Sequence, residues 1–190
     1  MISKLSNLIT RNLLKRNVIF DEEKELYDYG LFMLISYVVF FIISILFGII
    51  LNIPFLSIIF YISFCLVRNF AGGIHANSEI KCDIITTILI LVSEILIRIF
   101  IDCSLVSIAF VTQIISSLCL CVFKPVATSQ KEINQQEKLY YHKKLILIVC
   151  FINIFSFVLF YFNFHNVIYS TSIGITLSTL LFLLGKVSQV

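Results

Sequence analysis

The sequence predicts an all-α polytopic membrane protein: about six transmembrane helices in one bundle behind an N-terminal amphipathic helix, with both termini in the cytosol. Three observations carry that prediction. Hydrophobic side chains make up 59% of the 190 residues and charged ones only 13%, and mean hydropathy is +1.03, whereas soluble domains hold roughly 45–50% apolar and about 25% charged residues. The apolar residues are bunched into runs close to the ~20 residues that cross a ~30 Å hydrocarbon core. Thirteen of the 14 Lys and Arg residues fall on alternate connectors, as expected where basic loops are retained in the cytosol.

The leader, residues 1–30, lacks the basic, apolar and small-residue regions of a cleaved secretory signal, so it is expected to stay. Ile2, Leu5, Leu8, Ile9 and Leu13 recur at helical spacing, with Lys4, Arg11, Lys15 and Arg16 as the polar face. That pattern suits a helix on an anionic leaflet and equally a helix packed on the bundle. The six runs follow at 31–51, 53–71, 84–101, 104–123, 145–162 and 167–185. No Pro/Ser-rich linker or repeat divides them, so residues 1–190 read as one integral-membrane domain with its bundle at 31–185.

Orientation follows from the cations. Lys4, Arg11, Lys15, Arg16 and Lys24 precede the first run, Arg68 and Lys81 flank the second connector, Lys124, Lys131, Lys138, Lys143 and Lys144 fill the fourth, and Lys186 closes the chain. The turns at Asn52, at 102–103 and at 163–166 contain none. Arg98 is the exception, inside the third run and four residues after Glu94, where helical spacing predicts an ion pair between them. A contact of that pair with a substrate peptide or partner subunit is the functional alternative.

Of six cysteines, Cys65, Cys119, Cys121 and Cys150 lie within runs and are expected to pack as small apolar residues rather than form disulfides. Cys103 stands at the outer edge. Cys82 differs, because it shares a polar connector with His75 and adjoins Lys81. In this segment, 68–83, the second helix is stopped by Gly72-Gly73, and Asn77 and Ser78 are good N-caps for the next helix. Cys82 then falls in a first helical turn, where the helix dipole and Lys81 favour a thiolate. His75 is the matching general base. In one unbroken helix the two would stand about 10.5 Å apart along the axis, so the chain must break between them. Backbone amides near Gly72, Gly73 or Cys82 are candidate oxyanion donors, and Arg68 is a candidate substrate or charge-stabilising contact.

Other chemistries fit poorly. The remaining histidines, His142 and His165, fall in other connectors, so no three-ligand zinc site is expected, nor any other cofactor. GGIH lacks the Lys-Ser/Thr of a phosphate loop, and the topology already accounts for the basic residues, so no nucleic-acid partner is expected. A small transporter or scaffold centred on Glu94 and Arg98 is the competing class.

The R-x3-G-G-x-H-x6-C pattern of Arg68, Gly72, Gly73, His75 and Cys82, set among six short runs, resembles the accessory gene regulator protein B family, AgrB. KPVATSQKEI at 124–133 resembles the Pro-containing segment after that family's fourth span. The resemblance covers nearly the whole chain. It implies an integral-membrane cysteine endopeptidase of Gram-positive quorum sensing, acting at the cytosolic side of the cell membrane on a precursor peptide, AgrD. His75 and Cys82 would be the catalytic pair, the precursor tail would leave as a thioester forms, and ring closure to a thiolactone or lactone would follow. The family's precursors have an acidic tail, for which the basic segment 124–144 is an electrostatic partner. Gly174-x3-Ser178 offers a small-residue face for a homodimer.

Overall fold

The computed structural model describes residues 2–72, 78–123 and 135–187, and among these the chain is helical with no strand. In order it forms α1 (Ile2–Lys15), a 3-10 turn (Asp21–Glu23), α2 (Lys24–Ile50), α3 (Pro54–Ala71), α4 (Glu79–Asp102), α5 (Val106–Val122), α6 (Gln135–Tyr161) and α7 (His165–Val187). It divides into two compact units, Met1–Ile43 and Ser44–Val190. Asp21–Ile50, Pro54–Ala71, Glu79–Asp102, Gln136–Tyr161 and His165–Val187 are long and apolar enough to cross a membrane. At 17 residues, α5 spans only about 25 Å and is the shortest of the six expected crossings.

In the first unit α1 buries Ile2, Ser6 and Thr10, one residue per turn. Thr10 Oγ1 donates to Asp28 Oδ1 at 3.3 Å, tying α1 to the start of α2. The apolar stripe expected from the sequence is therefore split. Ile2 turns inward, whereas Leu5 and Leu8 are exposed beside Lys4 and Arg11. Two small hydroxyl residues thus share the buried face with Ile2. Exposed leucines beside cations are the composition of an interfacial helix.

One turn geometry recurs. Asn17, Asn52, Ser104 and Asn163 all have φ between 51° and 61°, the left-handed conformation that closes helices and that Asn tolerates best among residues with a Cβ. At each, the following amide reaches back five residues. Val18 N–H donates to the Leu13 carbonyl at 3.0 Å, Ile53 to Gly48 at 2.7 Å, Leu105 to Phe100 at 3.1 Å and Phe164 to Leu159 at 2.9 Å. This Schellman closure satisfies carbonyls that would otherwise end the helix unpaired. In the second unit the next helix begins at once, at Pro54, Val106 and His165. The three connectors without cations are thus minimal turns.

The second unit is built around α7, which packs against α3, α4, α5 and α6. Its small residues permit this. A Cβ on Gly174 would collide with the Ser63 side chain and come within 3.1 Å of the Phe60 carbonyl and 3.2 Å of the Phe64 amide, while Ser178 Oγ donates to the Phe64 carbonyl at 3.2 Å. The Gly174-x3-Ser178 face is therefore consumed inside the bundle against α3 and is not free for a second copy. A polar seam joins α5, α6 and α7. Gln113 donates to Ser156 at 2.9 Å and Asn153 at 3.3 Å and accepts from Thr171 at 3.1 Å, and Asn153 donates to Ser117 at 2.8 Å. In lipid such bonds fix helix register, at about 0.6 kcal/mol each.

Two expectations are corrected here. Arg98 does not pair with Glu94; its guanidinium takes Asp102 in a two-point contact of 2.9 and 3.1 Å. Both partners lie four residues from Arg98, but Asp102 ends the helix in a half-exposed setting where the pair stays hydrated, whereas Glu94 is fully buried against Ser44. Cys150 was expected to pack internally, yet it is exposed on α6, on a side rich in Leu147, Phe151 and Ile154 that suits lipid.

Candidate active site

The site begins where α3 ends. Val67 and Ala71 anchor its last turn in an apolar cluster with Leu120, Leu145, Val149, Ile152, Ile175 and Phe182. With that turn fixed, Gly72 leaves the helix at φ 74° and ψ −153°, a region open essentially to glycine alone. Two hydrogen bonds hold it there. Its N–H donates to the Arg68 carbonyl at 3.1 Å, and Arg68 Nη1 donates to the Gly72 carbonyl at 3.3 Å. Arg68, expected as a substrate or charge-stabilising contact, also grips the exit of its own helix.

On the far side of the connector Ser78 is extended, at φ −142° and ψ 135°, and serves as N-cap without a side-chain cap bond. Helix α4 starts at Glu79, so residues 78–82 do not continue α3. Cys82 N–H donates to the Ser78 carbonyl at 3.0 Å, the first bond of the helix. Cys82 is a free, half-buried thiol in the opening turn, and a helical side chain leans toward its own N-terminus. Gly73 and His75 fall in 73–77, outside the described residues. Within the expected oxyanion region near Gly72, Gly73 and Cys82, the amides of Gly72 and Cys82 donate to the Arg68 and Ser78 carbonyls.

The sequence also drew the neighbouring surface wrongly. Residues 124–144 were expected as a basic loop, but α6 starts at Gln135, ten residues before its apolar run. This polar extension carries Tyr140, Tyr141 and Lys144 to the end of α3. Phe70 meets Tyr141 at a ring separation of 6.2 Å, and Lys144 Nζ lies 4.5 Å from the Tyr140 ring and 5.9 Å from that of Phe70. Cation–aromatic contacts of this kind hold an ammonium in place. The signal in the sequence was the Tyr140–Lys144 spacing of one helical turn. The competing centre does not assemble, because Glu94 and Arg98 have separate partners.

The pattern of the family Accessory gene regulator B matches residues 3–184 of the chain. An AgrB-like protein of Clostridium perfringens strain SM101 is 28% identical over 170 residues, covering 85% of this chain and 79% of the relative. AgrB-like protein 2 of Clostridium perfringens strain 13 is 26% identical with the same coverage. No solved structure matches the chain.

Proposed function

The chain belongs to the accessory gene regulator B family, and from that premise we propose that it is a membrane-embedded cysteine endopeptidase that removes the C-terminal tail of an AgrD-like precursor and closes the remainder into a ring. Membership supports a role in peptide processing for agr quorum sensing. The observation that carries the finer reading is the helix break between Gly72 and Glu79, which leaves Cys82 in the opening turn of α4.

His75 takes the Cys82 proton, and the thiolate attacks a backbone carbonyl of the precursor. The oxyanion is met by amides that lack a partner within the helix, those of Ile80 and Lys81 in the first turn of α4. The C–N bond breaks as the imidazolium returns its proton to the departing amine, leaving an acyl thioester on Cys82. A cysteine or serine side chain of the precursor then attacks that thioester, forms the thiolactone or lactone and releases the thiol. Transfer between sulfurs is nearly isoenergetic, so exclusion of water decides whether the ring or a hydrolysed acid results. Arg68 and Gly72 act by fixing the exit of α3, and Gly73 is kept as a candidate amide donor to the oxyanion.

The positive-inside distribution supports a cytosolic active site with both termini on that side. That orientation needs an even number of crossings, so the short α5 must cross as well. Purified protein in liposomes with a precursor peptide tests the assignment. Cys82→Ala and His75→Ala are expected to abolish tail release; unchanged cleavage in either would refute the mechanism.

A further inference from the structure

Glu94 is the one fully buried acidic side chain described in the bundle, and the peptidase reading does not use it. It lies twelve residues beyond Cys82 on α4, about 18 Å along the axis. Its Oε1 is 2.6 Å from Ser44 Oγ on the last turns of α2, and the nearby Ser57 hydroxyl of α3 gives its proton to the Ile53 carbonyl at 3.2 Å. Its Oε2 is buried without any hydrogen-bond partner. Among the described residues no cation pairs with it. Arg98 is engaged with Asp102, and α7, which also packs on α4, presents Tyr169 to Phe100 farther along the helix.

Counting protons constrains the arrangement. Ser44 has one hydroxyl proton but two acceptors in reach, Glu94 Oε1 at 2.6 Å and the Ser57 carbonyl at 3.4 Å. A carboxylate at Glu94 would claim that proton, leave the Ser57 carbonyl with its helical amide partner alone and put half of a full charge on the unpartnered Oε2. Burying such an uncompensated charge in lipid is costly. One added proton resolves both problems. With Oε1 protonated, Glu94 donates to Ser44 Oγ, Ser44 donates to the Ser57 carbonyl, and Oε2 becomes an ordinary neutral carbonyl oxygen.

We propose that Glu94, Ser44 and Ser57 form an intramembrane proton-binding site, occupied at neutral pH, in which the neutral Glu94 acid relays a hydrogen bond from α4 through α2 to the α3 backbone. The close approach this needs is visible beside it, since a Cβ on Gly48 would collide with the Ser57 side chain. The site is independent of the peptidase chemistry and stands or falls without it.

Infrared spectroscopy of the full-length protein in lipid nanodiscs, with carbon-13-labelled glutamate, is the test. At neutral pH the wild type is expected to show a protonated-carboxyl carbonyl band that shifts with the label and is missing in Glu94→Gln. In Ser44→Ala, which keeps Glu94 itself, the band should persist but move to higher frequency as its hydrogen bond is lost. Absence of the band from the wild type would overturn the proposal. So would a Glu94 carboxylate signal that responds to replacing sodium and potassium by choline, because the ligand would then be a metal cation.

Discussion

The guanidinium of Arg68 donates to the carbonyl of Gly72 at 3.3 Å, while the Gly72 amide donates back to the Arg68 carbonyl at 3.1 Å. The two residues therefore define one clasp at the mouth of the candidate site. Arg68→Lys keeps the charge but loses the planar fork. It is expected to lower the rate of tail release with little change in precursor affinity, as measured by single-turnover cleavage in liposomes. An equal fall in binding would instead return Arg68 to the role of substrate contact.

Gly72→Ala tests the same clasp through the backbone. A side chain at φ 74° and ψ −153° costs about 1–3 kcal/mol, so cleavage should fall roughly fivefold to a hundredfold if the loss appears in the barrier. Full activity would mean that the path out of α3 does not matter to catalysis.

Gly174 lies where α7 crosses α3. Replacing it with leucine should drive the helices apart against the Phe60 carbonyl and the Phe64 amide, at a cost of about 1–3 kcal/mol or more. Thermal unfolding in detergent reads this as a lower midpoint, and an unchanged midpoint would contradict the packing described.

Gln113→Leu removes the centre of the polar seam and leaves Ser156, Asn153 and Thr171 without their shared partner. Single interhelical hydrogen bonds in membranes average about 0.6 kcal/mol and reach about 1.7. A loss on the order of 1–2 kcal/mol is therefore expected from unfolding in mixed micelles. Asp102→Asn, by contrast, breaks only a half-exposed pair and should change stability by less than about 1 kcal/mol.

Orientation is open to a labelling experiment. Cys103 is exposed at the end of α4 opposite Cys82. A membrane-impermeant maleimide added to intact cells should label Cys103 and spare Cys82, and inverted vesicles should reverse the outcome. Labelling of Cys82 from outside would place the candidate site on the wrong face.

The sequence conveyed the membrane fold well because hydropathy reports what touches lipid. It conveyed helix limits less well, since hydrogen bonding does not stop where apolar side chains do. The run at 145–162 sits in a helix that starts at Gln135, whereas the start of α4 at Glu79 follows the N-cap expected at Ser78. The unforeseen extension matters because it carries Lys144. Periodicity placed Glu94 and Arg98 on one face but could not say that Asp102, equally spaced on the other side, would win the arginine. Gly174 and Ser178 likewise announced a close contact without naming the helix that fills it. At the candidate site, the Gly72 turn and the position of Cys82 were legible because glycine and N-cap preferences are local. The Arg68–Gly72 clasp was not, because it depends on where one long side chain folds back.

The repeated helix closures at Asn52, Ser104 and Asn163 have a practical consequence. The bundle end remote from Cys82 is joined by turns so short that they offer almost no chain for an antibody, a protease or an inserted epitope to grip. Tags and surface probes aimed at that end would have to be built into the turns themselves, whereas the sequence on the Cys82 side leaves longer connectors for the purpose.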